Sequence, residues 1–352
     1  MRLRFAIGAA LACIPALLSV SALRAEPRTD VYIEHKLSSN GPGENRNPLL
    51  VNAWGISEAP AGPFWISDNE TGKSSILDGN GQAQPLVVTI APPRNGMPPS
   101  APTGNVFNGT TNFQIQPGQP AIFIFATEDG TISGWNPSVD ATHTVLAVDN
   151  SASGAVYKGL ATNGTNLYAT NFFAGTVDIF DANFAPVIIP GAFQDSMIPA
   201  GFAPFNIANI SGKLWVTYAM QDADKEDDVA GPGNGFIDVF DYSGNLLQRF
   251  AHHGVLNSPW GLALAPSGFG AFSGDLLVGN FGDGRINAFD PTTGASLGGL
   301  LEPSGRPLTI DGLWGLIFGN GGAGTETNVL YFTAGPNDEQ DGLFGKIRAQ
   351  HP

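Results

Sequence analysis

The sequence has almost no cysteine and little positive charge, and these two shortages already exclude several kinds of protein. Its single cysteine, Cys13, lies in an apolar run near the N-terminus. We therefore expect a mature chain without disulfide bonds, a cysteine nucleophile, Cys-ligated zinc or iron–sulfur clusters. Lys and Arg together number 16 against 31 Asp and Glu, and the net charge is −15. Because phosphate binding needs a basic surface, we expect no nucleic-acid partner.

The sequence also lacks long charged helices and a second long apolar run. Charged residues make up only 13% of the chain. No segment beyond residue 25 approaches the roughly 20 apolar residues that a membrane span requires. The N-terminus has the pattern of a secretory signal, because Arg2 and Arg4 precede an apolar run and then small residues. We expect cleavage after Ala22 or Ala25 and an exported protein, periplasmic or extracellular, once the signal at residues 1–25 is removed.

A short apolar unit built around a small residue recurs six times along the chain, about every 50 residues. The small residue is glycine in five copies and asparagine in one. These six residues, called the anchors below, are Gly55, Gly104, Gly159, Asn206, Gly261 and Gly315. A second short run of β-branched and aromatic residues follows each anchor, and the clearest copies continue with a Gly turn and a third run. About fifty residues per unit, with three or four strands each, is typical of a β-propeller blade.

The repeats predict an all-β fold, a six-bladed β-propeller formed as a single domain by residues 26–352. The sixth repeat has only three recognisable strands, and an unassigned strand at residues 29–36 precedes the first repeat. We expect this N-terminal strand to complete the last blade and close the ring, since closure removes exposed sheet edges. Two β-sandwiches are the competing architecture, and the even spacing of the repeats argues against them. We expect a monomer.

Several motifs of the chain carry a resemblance to a known family. They are Asn52–Ile56, Phe64–Asn69, Phe125–Asn136, Tyr168–Phe172, Gln221–Gly235, Gly279–Asp290 and Leu330–Gly335. In these segments the chain resembles a family of uncharacterised exported bacterial proteins with NHL-like propeller repeats, some of which carry a PEP-CTERM sorting tail. The chain departs from that pattern in lacking the tail, so we expect no sorting by that route. The resemblance implies a propeller and export, and it implies no catalytic residues.

An acidic stretch interrupts the fourth repeat between its second and third strands. Four of its carboxylates alternate along the chain, at Asp222, Asp224, Glu226 and Asp228. This spacing is similar to that of a calcium loop, where the cation takes six to eight oxygen ligands. The glycine and the terminal glutamate of an EF-hand are missing at their usual offsets. We therefore predict a candidate calcium site, with a solvated loop or a loop that binds a basic partner as the alternatives.

Polar and aromatic side chains recur at similar repeat positions and predict a site at one mouth of the channel. They are Asn69, Asn171 and Asn280, with Asp68 beside the first, and Trp54, Trp260 and Trp314. Rotation about a propeller axis relates matching positions, so the polar side chains would converge on a metal or a small molecule. The tryptophans would stack a sugar or another flat ligand. The alternatives are turn capping for the asparagines and packing between blades for the tryptophans.

Two functions of different kinds follow from these patterns. The first is a secreted binding or interaction module for a protein, glycan or small-molecule ligand, with calcium as a structural ion. The second is a calcium-dependent hydrolase of lactonase or phosphotriesterase type, in which a metal in the channel polarises a carbonyl or phosphoryl oxygen. Lactonase-like propellers typically have an asparagine directly before the blade glycine, and no anchor here is preceded by one. A purely structural envelope component is a third alternative.

Overall fold

Six four-stranded antiparallel sheets surround a central axis in the computed structural model, which describes residues 30–42 and 45–350. The predicted six-bladed β-propeller is therefore confirmed. The predicted signal and its cleavage sites lie outside the described residues. Within the described part of the chain, no helix is long and apolar enough to cross a membrane.

The strands follow the order of the repeats, and β1 (Val31–Ser39) precedes the first blade. Blades 1 to 3 contain β2 (Ala53–Glu58), β3 (Phe64–Asp68), β4 (Lys73–Leu77), β5 (Ala83–Thr89), β6 (Pro102–Phe107), β7 (Gln114–Gln116), β8 (Gln119–Pro120), β9 (Phe123–Thr127), β10 (Thr131–Trp135), β11 (Val145–Asp149), β12 (Tyr157–Thr162), β13 (Leu167–Asn171), β14 (Thr176–Phe180) and β15 (Pro186–Val187). Of these, β7 and β8 form a separate hairpin inserted in blade 2.

The remaining strands build the second half of the ring. Blades 4 to 6 contain β16 (Phe202–Ile210), β17 (Lys213–Met220), β18 (Phe236–Phe240), β19 (Leu246–His252), β20 (Pro259–Leu264), β21 (Leu276–Asn280), β22 (Ile286–Phe289), β23 (Ser296–Gly299), β24 (Leu313–Phe318), β25 (Leu330–Ala334) and β26 (Leu343–Gln350). Three single-turn 3-10 helices lie in the loops, at Asn69–Thr71, Ser151–Ser153 and Gly270–Phe272. The innermost strand of each blade is the first one after the preceding blade, namely β2, β6, β12, β16, β20 or β24.

The N-terminal strand closes the ring, as the sequence predicts. Strand β1 is the outermost strand of blade 6 and pairs antiparallel with β26, from Val31 opposite Gln350 to Ser39 opposite Leu343. The side chain of Tyr32 is 1% exposed and packs on the rings of Phe269 and Phe272, which belong to blade 5. The first and last segments of the propeller are therefore joined by backbone pairing and by apolar packing.

The apolar core lies between neighbouring blades. Because side chains alternate across a strand, every second residue of a blade's second strand faces the preceding blade. For example, Leu167 and Ala169 of β13 pack with Ile124 and Ile132 of blade 2. The repeated short apolar runs of the sequence are thus the surfaces that hold one blade to the next.

The anchors bring the innermost strands close together around the axis. The strand register is irregular at the anchor of every innermost strand, which is the signature of a β-bulge. A Cβ atom added at Gly55 would overlap the carbonyl oxygen of Thr103 and crowd the backbone of Gly104 in the next blade. In blade 4 the anchor Asn206 instead donates a hydrogen bond of 2.7 Å to the carbonyl of Trp260. The small residue is therefore required by backbone contact between blades.

Replacing Gly55 by alanine is expected to destabilise the protein by about 3 kcal/mol, the upper part of the usual range for overpacking a core. The added methyl group meets backbone of blade 2, which cannot rotate away as a side chain could. Urea unfolding followed by tryptophan fluorescence measures the change. Gly299→Ala is the matched control, because its Cβ would lie 3.3 Å from the nearest atom, the carbonyl oxygen of Ile286. Equal unfolding midpoints for the two variants would contradict the role assigned to the anchors.

Candidate functional site

Aromatic side chains fill the channel near the face at which the innermost strands begin. Trp54, Trp260 and Trp314 each precede an anchor, and all three are buried. The rings of Trp54 and Trp314 stack with centroids 3.6 Å apart, and Trp260 meets both edge-on. Phe281 stacks on Trp314 as well, at 3.9 Å. The predicted tryptophan set thus comes together with its rings stacked on one another, and Trp260 also lines a cavity of about 350 Å³ between the innermost strands. We call this group of rings the tryptophan plug.

A buried lysine occupies the position before the anchor in blade 3. The Lys158 side chain is 1% exposed, and its ammonium lies 5.0 Å from the ring centroid of Trp54 and 5.9 Å from that of Phe172. It donates hydrogen bonds to Glu128 of blade 2 and, at 3.2 Å, to Asp227 of blade 4. Burial alone would lower the pKa of Lys158, but these two carboxylates raise it above its usual value. The ammonium group is therefore charged.

A cavity of about 330 Å³ lies beside this lysine, and its lining is mainly acidic. Apart from Val156, its lining residues come from the loops that join the second and third strands of blades 1, 2, 4 and 6. They are Asn69, Glu70, Glu128, Asp129, Glu226, Asp227 and Glu339. We call this cavity the acidic mouth.

Two asparagines position the carboxylates of the acidic mouth. The Asn69 amide donates a hydrogen bond of 2.9 Å to Glu128. The Asn52 amide donates to Glu339, and its oxygen accepts a hydrogen bond of 3.0 Å from the Trp314 indole. These contacts link the acidic side chains directly to the tryptophan plug beneath them.

Glu339 has the most perturbed acidity at the mouth. Burial raises the pKa of Glu339 to about 7, and the negative charge of Glu128 adds to the shift, while the hydrogen bond from Asn52 opposes it. The backbone around it is strained, because Asn337, Asp338 and Glu339 have φ angles of 60°, 49° and 64°. Residues other than glycine rarely adopt this left-handed region, and such strain is concentrated at functional sites. The loop therefore holds Glu339 at the mouth at a conformational cost.

Of the predicted polar set, only Asn69 lines the acidic mouth. Asp68, Asn171 and Asn280 end the second strands of their blades, and Asn69 lies one residue beyond that position. Their side chains do not converge on the axis, because the second strand lies about 4.8 Å outside the innermost strand and these residues face the neighbouring blade. Their hydrogen-bond partners are Ser75 for Asp68 at 2.6 Å, Asp178 for Asn171 at 3.1 Å and the Val255 carbonyl for Asn280 at 2.8 Å.

The acidic loop of blade 4 folds beside the mouth, but its four alternating carboxylates point in different directions. Asp222 accepts a hydrogen bond of 3.0 Å from the backbone of Glu226. Asp224 is exposed, whereas Asp228 turns inward, where burial raises its pKa. The loop residue that reaches the buried lysine is Asp227, which the alternation passes over. In the described ranges no three His, Cys, Asp or Glu side chains are grouped as metal ligands, and calcium in this loop stays a prediction.

The repeat patterns of the sequence do not predict a role for Lys158, Glu128, Asp227 or Glu339. A signal for Glu128 was present, because it directly follows the second strand of blade 2 as Asn69 does in blade 1. Asn69 and Glu128 are therefore equivalent when repeat positions are counted from the end of the second strand. A comparison limited to asparagines misses this equivalence. Glu339 lies in a loop of blade 6 whose length has no counterpart in the other repeats, so no repeat position points to it.

Comparison with known proteins places the chain among relatives. No family model matches it. Two uncharacterised proteins of Acanthamoeba polyphaga mimivirus are each 36% identical to it, over 311 and 310 residues, covering 86% of this chain and 76% and 81% of their own lengths. Among solved structures, a streptogramin B lyase matches 93% of this chain and 100% of its own, with a TM-score of 0.54 and 12% identity, a likeness of fold alone. The chain belongs to the protein family that includes these two mimivirus proteins.

Proposed function

We propose that the protein is an exported binding module whose acidic mouth recognises a cationic group, an ammonium or a guanidinium, of its ligand. The observation that carries this proposal is a cavity of about 330 Å³ into which four blades direct carboxylates. Among the described residues, Lys158 alone forms an ion pair with a carboxylate of the mouth, and it contacts only Glu128 and Asp227. The remaining negative charge attracts cations and repels anionic ligands.

The surroundings of Lys158 indicate which kind of cation suits the site. Its ammonium, an organic cation, is held by Glu128 and Asp227 of the mouth, while the rings of Trp54 and Phe172, which do not line the mouth, contact Lys158 itself. A calcium ion instead requires a compact set of six to eight oxygen ligands. The mouth carboxylates are spread over four loops, so an organic cation fits their arrangement better. Export is supported by the signal pattern at residues 1–25.

Titration with 1,5-diaminopentane is expected to show binding that weakens as salt is added. The variant Glu70→Gln/Glu226→Gln removes two mouth charges that do not contact Lys158, and we expect it to bind about tenfold more weakly, about 1.4 kcal/mol. Isothermal titration calorimetry at low ionic strength measures both constants. Glu302→Gln, far from the mouth in the chain and on the outside of blade 5, is the matched control and should bind as the parent does. Equal binding by both variants, or equal binding of 1-pentanol, would overturn the proposal.

Calcium is the competing ligand for the same carboxylates, because Glu226 of the predicted calcium loop lines the acidic mouth. Calcium chloride is therefore added to protein stripped with EDTA, and the thermal unfolding midpoint is measured at each calcium concentration. A ligand that binds only the folded state raises the unfolding midpoint. A calcium-dependent rise that Glu226→Gln abolishes would favour a metal at the mouth and the calcium-dependent hydrolase over the module for organic cations.

A further inference from the structure

A pair of polar side chains recurs between the second and third strands of four blades. The first member ends or nearly ends the second strand, and the second member lies two residues beyond its partner in the third strand. The pairs are Asp68 with Ser75, Asn171 with Asp178, Tyr218 with Asp238 and Asn280 with Asn287. In blades 1 and 3 the two members bond to each other, and in blade 5 both donate to one carbonyl. In these three blades hydrogen bonds therefore link the pair, directly or through a shared carbonyl, although Oδ1 of Asp68 and Oδ1 of Asn280 have no partner among the described residues.

In blade 4, no hydrogen bond among the described residues links the two members to each other or to a shared carbonyl. Tyr218 and Asp238 are 4% and 2% exposed, yet the Tyr218 hydroxyl and the Oδ2 atom of Asp238 have no hydrogen-bond partner among the described residues. Asp178, at the same position in blade 3, accepts hydrogen bonds on both oxygens. Buried polar atoms without partners are rare, and each one calls for an explanation such as a missing ligand.

A cavity of about 320 Å³ opens beside Asp238, between blade 4 and the loop that leads into it. We call it the blade-4 cavity. One part of its lining is apolar, formed by Met197, Ile198, Phe236 and Ala251. The polar lining residues besides Asp238 are Asp195, Arg249, His252 and His253.

The charges around the cavity leave one carboxylate uncompensated. Arg249 binds Asp195 through two hydrogen bonds of 2.6 and 2.7 Å, which hold the pKa of Asp195 below its usual value. Burial first, then the charge of Asp195 and a hydrogen bond that protonated Asp238 makes to it, raise the pKa of Asp238 to about 7, while Arg249 opposes the shift. The other titratable groups that face it are Tyr218, His252 and His253. Above pH 7 the cluster therefore carries a net negative charge beside the apolar part of the cavity lining.

We propose that the blade-4 cavity binds a small primary amine with an apolar body. The ammonium donates a hydrogen bond to Oδ2 of Asp238, and the apolar body packs on Phe236 and Ile198. The Tyr218 hydroxyl gains a polar partner at the same time. Such a ligand supplies both the hydrogen-bond donor and the positive charge that blade 4 lacks, which a neutral or anionic ligand of the same shape cannot do. The inference is independent of the acidic mouth, since the two cavities share no lining residue.

Benzylamine is the probe, measured by isothermal titration calorimetry at pH 8. Asp238→Asn is expected to weaken its binding at least tenfold, because the variant keeps the shape of the side chain and removes its charge. Asp178→Asn is the matched control at the same repeat position, and we expect it to leave the affinity unchanged. Lowering the pH from 8 to 6 should weaken binding to the parent protein about tenfold, as Asp238 takes up a proton.

A second variant and a second probe keep the test decisive if Asp238→Asn folds poorly. Tyr218→Phe keeps the charge of Asp238 and should weaken benzylamine binding by a few fold, and benzyl alcohol should bind the parent at least tenfold more weakly than benzylamine. Absence of benzylamine binding, or equal binding of amine and alcohol, would overturn the inference. Loss of binding in Glu70→Gln/Glu226→Gln with retention in Asp238→Asn would place the amine at the acidic mouth, overturning this inference and leaving the proposed function intact.

Discussion

Replacing Lys158 by methionine is expected to destabilise the protein by about 1.5 kcal/mol at pH 8, less than breaking a fully buried ion pair, because the side chains of its partners Glu128 and Asp227 are 25% and 77% exposed. Methionine keeps an unbranched apolar stem against Trp54 and Phe172, so little packing is lost. What is lost is the charge that compensates Glu128 and Asp227. The effect therefore comes from carboxylates next to the tryptophan plug that lose their counter-ion but keep contact with water.

The loss is expected to be smaller at pH 5.5 than at pH 8. The pKa of Glu339 is raised to about 7, and Lys158 opposes that shift, so the variant raises it further. A carboxyl group whose pKa is raised by folding contributes stability below its unfolded value near 4.5, and this stability is lost as the pH rises through about 7. Urea unfolding followed by tryptophan fluorescence at both pH values measures the difference.

The matched control for this variant is Lys213→Met, which removes an exposed lysine at the start of β17. It is expected to change the unfolding free energy by no more than about 0.5 kcal/mol at either pH. A loss in Lys158→Met that equals that of the control, or one that does not change with pH, would contradict the role assigned to the buried ammonium.

Removing β1 by starting the chain at Asn40 is expected to cost at least about 5 kcal/mol, which equals the whole stability of many domains. The truncation removes the backbone pairing of Val31–Ser39 with β26 and the burial of Tyr32 against blade 5. It also leaves β26 as an open edge, so we expect the truncated chain to associate or aggregate. Size-exclusion chromatography and urea unfolding measure both consequences.

A point variant separates the two contributions of β1. Tyr32→Ala keeps the backbone pairing and removes the ring, so it should cost about 3 kcal/mol, as large-to-small changes of a buried aromatic do. It should also remain a single species in solution, because no sheet edge is opened. A truncated chain that unfolds at the parent midpoint and elutes as the parent does would refute ring closure by β1.

The fold could be predicted because each blade of a propeller corresponds to one continuous repeat of the sequence. Each repeat contains a small anchor and short apolar runs, and neighbouring strands of a blade are also neighbours in the chain. The number of repeats gives the number of blades. Ring closure follows because the sixth repeat lacks one strand and one extra strand precedes the first repeat. Neither step depends on the direction in which a particular side chain points.

The site could be predicted less well because it depends on the direction in which each side chain points. Symmetry places Asp68, Asn171 and Asn280 at equal distances from the axis, but the alternation of side chains turns them toward the neighbouring blade. The sequence shows that the acidic loop is crowded with carboxylates, yet which one enters the channel depends on how the loop turns. Asp227 lines the acidic mouth and bonds to Lys158, whereas the adjacent Asp228 is buried and does not line the mouth.

For the tryptophans, the sequence predicts the positions of the residues but not how their rings pack. Their repeat positions place them correctly around the axis. How their rings pack is then determined by the close approach of the innermost strands at the anchors. A narrow channel brings the three rings within contact distance of one another, so they stack together. The width of the channel is a property of backbone packing, which no single repeat reveals.

The tryptophan plug makes the axis of the disc a dead end rather than a tunnel. Because the stacked rings of Trp54, Trp260 and Trp314 are buried and close the passage, a molecule that enters from the acidic side must leave through the same portal. The cavity of about 350 Å³ that the innermost strands line and the acidic mouth share no lining residue, and the plug lies between them. A molecule in one of these cavities therefore cannot diffuse along the axis into the other.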